Sequence, residues 1–107
     1  MSNFTFIEQH TGANPEKFYK TTLFSSSRLL LGLNCLEPGQ AQSLHDHDDQ
    51  DKFYYVVEGR GRFEIGATQQ DVGPQGVVWA PAGVPHAVNN RGDRRLVLLV
   101  GIAPAPG

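Results

Sequence analysis

The stretch Gly39-Gln-Ala-Gln-Ser-Leu-His45-Asp-His47-Asp-Asp-Gln-Asp-Lys52-Phe-Tyr-Tyr-Val-Val-Glu-Gly59 places two imidazoles two residues apart, just before an apolar run. On an extended chain the side chains at i and i+2 share a face, so His45 and His47 aim at one point. A divalent metal bound through neutral imidazole nitrogen asks for that arrangement. A third imidazole stands far downstream in Pro81-Ala-Gly83-Val-Pro-His86, and the fold has to bring it to the other two.

On either side of this stretch the chain alternates between short apolar runs and turn residues. Strands are expected over 28–37, 40–47, 52–57, 60–65, 76–80, 86–89 and 94–102, separated by Pro38-Gly39, Glu58-Gly59, Gly73-Pro74, Pro81-Ala-Gly83 and Asn89-Asn90-Arg-Gly92. Closely spaced short strands of this kind predict an all-β antiparallel sandwich or closed barrel, not a parallel α/β sheet. Residues 1–27 read as an N-terminal arm, with a turn at Thr11-Gly-Ala-Asn-Pro15 and one helical turn over 16–20. The barrel occupies 28–103 and the tail 104–107. Two strands are apolar on both faces, since Phe53, Tyr55 and Val57 alternate with Tyr54 and Val56, and 96–100 is unbroken. Their second face therefore needs a cover, either the arm or a second subunit, and a homodimer is expected.

The bulk properties narrow the function. One domain fits 107 residues, and a net charge of −2 with scattered basic residues gives no reason to expect a nucleic acid or an anionic membrane as partner. The start Met1-Ser-Asn-Phe-Thr5 lacks a basic region followed by an apolar stretch, and no run is long enough to span a bilayer, so a cytoplasmic location is expected. Cys35 is the single cysteine and reads as a small core residue, not a reactive thiol. His10 reads as a surface residue of the arm. Phe63, Ile65 and Trp79 read as barrel lining around a largely apolar pocket for a small molecule.

The residues resemble the cupin superfamily, and within it a group of small single-domain bacterial cupins. The first cupin motif, G-x5-H-x-H-x3-4-E-x6-G, is matched by Gly39, His45, His47 and Gly59. The second, G-x5-P-x-G-x2-H-x3-N, is matched by Pro81, Gly83, His86 and Asn90. The resemblance implies an antiparallel double-stranded β-helix, or jelly-roll barrel, with His45, His47 and His86 lining the lumen as ligands of one divalent transition metal. Iron, manganese, nickel, zinc and copper all suit such ligands.

Two positions depart from the pattern. Gln75, with Gly76 beside it, stands where the second motif begins with glycine, and this reads as a turn shifted by one residue. Lys52 stands where the first motif carries its carboxylate ligand. An ammonium near a divalent cation would be repelled and lose its proton more readily. Three readings of Lys52 stay open. Its ammonium swings to Glu58, Glu64 or the nearby aspartates and reaches solvent. Gln50 or Asp51 bends inward to supply the missing oxygen ligand, although alternation puts Asp51 on the face opposite Lys52. Or Lys52 projects into the lumen with a depressed pKa, as a proton donor or base, or as the anchor for a ligand carboxylate or phosphate.

Lys52 and Tyr54, which share a face, are accordingly the candidate catalytic side chains, and His45, His47, His86 and Gln50 the candidate metal ligands. Two classes of function follow. One is an oxygenase, isomerase or lyase acting on a small molecule at the metal. The other is a metal-poor or metal-free barrel in which Lys52 holds an anionic ligand.

Overall fold

The computed structural model describes residues 2–46 and 48–106. Among the described residues a single 3-10 turn, Ile7–Gln9, precedes nine strands: β1 Tyr19–Ser25, β2 Leu30–Leu36, β3 Ala41–His45, β4 Asp51–Glu58, β5 Gly61–Ile65, β6 Thr68–Val72, β7 Val77–Ala80, β8 His86–Asn89 and β9 Leu96–Ala103. They form a five-stranded sheet ordered β1-β2-β9-β4-β7 and a four-stranded sheet ordered β3-β8-β5-β6. Every pairing is antiparallel. The protein is therefore an all-β jelly-roll barrel, as its strand pattern predicts. No helix among the described residues is long and apolar enough to cross a membrane.

Alternation along β4 builds the interior. Lys52, Tyr54 and Val56 face inward, while Phe53, Tyr55 and Val57 face out. Tyr54 and Val56 join Leu36, Phe63, Val78, Val88, Leu96, Leu98 and Val100 in one core between the sheets. The outward row is only partly covered. Ile7 of the 3-10 turn, with Tyr19, Leu23 and Val57, packs on the buried outer-face residues Leu33, Cys35 and Val97. Cys35 is fully buried, and burial pushes its thiol pKa up, in keeping with a packing role. Farther along the same face, Val77 and Trp79 remain 68% and 55% exposed.

Five expectations need correction. Residues 19–25, read as part of the arm, supply edge strand β1. Its Thr22/Phe24 bulge breaks the alternation that would have marked it, and the expected helical turn over 16–20 is absent because Tyr19 and Lys20 already pair with Cys35 and Asn34. Residues 68–72 form β6, an edge strand almost without apolar residues, which pairs with β5 through a turn at Gly66 and Ala67. Trp79 does not line the barrel. It stands opposite Phe53 in the β4–β7 ladder, so it follows Phe53 outward and leaves Val78 and Ala80 facing inward. His10 is half-buried, with its Nε2 hydrogen-bonded to the Thr5 hydroxyl at 2.7 Å.

Two glycines that turn the chain at positive φ separate backbone strain from steric conflict. Gly59, between β4 and β5, has φ +83°, and a Cβ there would run into the Arg95 carbonyl. Gly39 has a similar φ of +88° but faces open space. Urea unfolding should therefore show Gly39→Ala costing about 1 kcal/mol and Gly59→Ala about 2 kcal/mol more than that. Equal losses at the two sites would refute the steric account.

Candidate functional site

His45 closes β3 and His86 opens β8, and the two are directly paired in the ladder between those strands. Four residues of β3, from Gln42 to His45, span the same stretch as three residues of β8, from Val88 to His86. This irregularity changes the parity of β3, so that Gln42 and His45 both reach the interior although strict alternation would set them on opposite faces. The two imidazole rings meet edge on, with centroids 4.2 Å apart and planes at 61°. Each is oriented in the same way. His45 Nδ1 lies 2.8 Å from the Ser43 carbonyl and His86 Nδ1 3.0 Å from the Val84 carbonyl. A carbonyl only accepts, so Nδ1 carries the proton in both rings, and the lone pair of the neutral imidazole is on Nε2. Tethering of this kind fixes a metal-binding histidine in the tautomer it needs. His47 lies outside the described residues. Among the described residues no three His, Cys, Asp or Glu side chains converge into a metal-holding group.

Lys52 is 3% exposed. Its Nζ sits 4.9 Å from the centroid of the Tyr54 ring, and no described carboxylate comes within ion-pairing distance of it. Burial, helped by the charge of Lys20, pushes its pKa down from 10.5 to about 8. The reading in which its ammonium escapes to Glu58 is overturned, because Glu58 is held on the outside by Arg95 through contacts of 2.8 and 3.3 Å. The aspartate reading fails for Asp51 as well. Its carboxylate faces outward and accepts the Ala82 N–H at 2.9 Å, as alternation requires. Gln50 is buried, and its Nε2 donates to the Pro104 carbonyl at 3.1 Å, tying the β3–β4 connection to the C-terminal segment.

Tyr54 is fully buried beneath Lys52. Its ring packs against Phe63 in a tilted contact and against His86 edge on, at centroid distances of 5.3 and 6.2 Å. Burial raises its phenol pKa well above the usual value, so at neutral pH it is a donor, and its hydroxyl donates to Gln42 Oε1 at 2.6 Å. A cavity of about 380 Å³ opens beside this group, between the inner face of the five-stranded sheet and Gln42. Lys52, Lys20, Asn34 and Gln42 line it together with Leu30 and Ile102. Three of these polar residues were not legible as site residues. Lys20 belongs to the strand hidden by its bulge, Asn34 sits in an apolar run, and Gln42 reaches the interior only through the irregular register of β3.

The family model for the cupin domain matches residues 32–102. The chain belongs to the cupin family. This cupin is similar to TT1209 from Thermus thermophilus, with a TM-score of 0.94 and 38% identity over 98% of this chain and 100% of that one. It is 35% identical over 74 residues to the uncharacterized protein SCO3923 of Streptomyces coelicolor, covering 69% of this chain and 70% of the relative. It is also similar to a predicted oxalate decarboxylase from Thermotoga maritima, with a TM-score of 0.75 and 25% identity over 78% and 77% of the two chains.

The buried lysine of this cupin gives its stability a pH signature. The unfolded chain holds the Lys52 proton up to pH 10.5, whereas the folded chain begins to lose it near pH 8. Stability is therefore highest above the upper value and falls as pH drops toward the lower one, and at neutral pH the buried ammonium costs about 3 kcal/mol. Lys52→Met should raise stability at pH 7 by about 1–3 kcal/mol and remove the rise that the wild type shows between about pH 8 and 10.5. Parallel stability profiles for the two proteins, measured by urea unfolding across that range, would refute the assignment.

Proposed function

We propose that this cupin holds one divalent transition metal through His45, His47 and His86 and acts on a small molecule in the barrel lumen, by chemistry of the oxygenase, isomerase or lyase type. The observation that carries the reading is the shared tethering of His45 and His86. Both rings are fixed through Nδ1 to backbone carbonyls while in contact with each other, which prepares two Nε2 donors at one place. The donor set thus fits an imidazole-bound metal. His47 would be the third ligand and Gln50 a further candidate. The metal, when bound, would polarise a substrate oxygen or activate dioxygen at an open coordination position. The similarity to a predicted oxalate decarboxylase supports small-molecule chemistry in a barrel of this shape.

The chain's own groups have distinct parts in this reading. Lys52, with its pKa near 8, is present in both protonation states close to neutral pH and can take up or release a proton at Nζ. Tyr54 stays neutral, packs under that ammonium and orients Gln42. Homodimerisation through the outer face that carries Phe53, Tyr55, Val77 and Trp79 completes the proposal, in a cytoplasmic protein with no nucleic-acid or membrane partner.

A second reading is favoured by one observation, the burial of the Lys52 ammonium with no carboxylate partner among the described residues. In that reading the barrel is metal-poor and Lys52 holds an anionic ligand.

Metal content after supplementation separates the two. The wild type is expected to carry about one metal ion per chain and His47→Ala far less. Negligible metal in both, with tight uptake only by Lys52→Glu, would overturn the three-histidine site in favour of the metal-poor barrel. For the assembly, sedimentation should give a dimer for the wild type and a monomer for Trp79→Arg. A wild type that is monomeric at all concentrations would end the dimer proposal.

A further inference from the structure

The charged groups around the 380 Å³ cavity are all cationic, and Thr21 and Thr22 also line it. Lys52 and Lys20 bring ammonium groups, Asn34 and Gln42 bring amides, and no described residue with a carboxylate lines the space. Tyr54 donates to Gln42 Oε1, which leaves the Gln42 Nε2 as the end of that amide able to serve a ligand. Lys52 and Asn34 are 3% and 6% exposed, and neither makes a side-chain hydrogen bond or ion pair with a described residue. Apart from the Tyr54 ring under the ammonium, the polar ends of both side chains are left to serve what enters the cavity that they line. Leu30, Val100 and Ile102, on the same inner face of the five-stranded sheet as Lys52, make part of the lining hydrocarbon. His45 and His86 are not among the lining residues, so the cavity is separate from the imidazole pair although it shares the barrel.

We propose that this cavity binds a small organic carboxylate. Its oxygens take the Lys52 ammonium and the N–H groups of Asn34 and Gln42, its hydrocarbon body lies against Leu30 and Ile102, and Lys20 adds positive charge from edge strand β1. The hydrocarbon lining favours an organic acid over an inorganic oxyanion, and the two ammonium groups favour an acid over a neutral molecule. Tyr54 is a positioning residue here, acting on the ligand through Gln42 and packing under the ammonium. The proposal names the ligand class for the lumen as a small-molecule site, and it does not require a bound metal.

Calorimetric titration of chelator-treated protein and of metal-supplemented protein with benzoate, benzamide and inorganic phosphate tests it. Benzoate should bind one to one in both preparations, about tenfold or more tighter than its neutral amide. Lys52→Met should lose about tenfold or more in benzoate affinity. Tyr54→Phe should lose about threefold or more in benzoate affinity while its benzamide affinity stays the same, a selectivity change that a merely structural defect would not produce. Lys20→Met, an exposed change that spares the core, should lose a smaller factor. Equal affinity for benzoate and benzamide, or undiminished benzoate binding in folded Lys52→Met, would overturn the proposal. Tighter binding of phosphate than of benzoate would overturn the carboxylate assignment. Benzoate binding that appears only with metal and vanishes in His86→Ala would move the ligand to the imidazole site. Loss of metal binding with benzoate binding intact would instead count against the metal reading alone.

Discussion

The structure depends on the alternation of strand β4. Held between β9 and β7, this strand contributes Tyr54 and Val56 to the core on one face and Phe53, Tyr55 and Val57 to the outer surface on the other. Because its period is two residues, fixing Tyr54 and Val56 in the core also fixes Lys52 inside. The buried cation follows from the same register that fills the barrel, and it could be released only by shifting the whole strand. The fold and the electrostatics of the lumen are thus set by one constraint.

The alternation of β4, the glycine turns and the two histidine motifs carry most of the architecture in plain sequence, and the jelly roll follows from them. What stayed hidden has physical causes. β1 escapes because the bulge between Thr22 and Phe24 interrupts its period, and β6 because an exposed edge strand needs no apolar face. Trp79 misleads because an aromatic residue in a short strand suggests the core, whereas its register partner Phe53 already faces out. In the site, the approach of His45 to His86 is what the cupin resemblance implies, but the cavity is not legible. Its members come from a strand concealed by one bulge and from a residue turned inward by another irregularity.

The interior therefore combines two kinds of chemistry in one small barrel. On one side are imidazoles whose tautomers are set by backbone carbonyls, and on the other is a positively charged cleft with an aliphatic wall. Tyr54 connects them. It touches His86 with its ring, lies beneath Lys52 and directs Gln42 with its hydroxyl. A change at Tyr54 is thus felt on both sides of the lumen, which makes single-residue effects in this barrel non-additive.

Strand β7 has a consequence beyond the lumen. It borders the five-stranded sheet, so beside the exposed Val77 and Trp79 it also presents backbone hydrogen-bonding groups with no neighbouring strand in that sheet. An open apolar edge of this type is a template on which further strands can add, the route by which β proteins polymerise. At four residues the strand is short, which limits how many rungs an incoming chain could form. On its inner face Val78 and Ala80 are buried, while Val77 and Trp79 stand on the outer face.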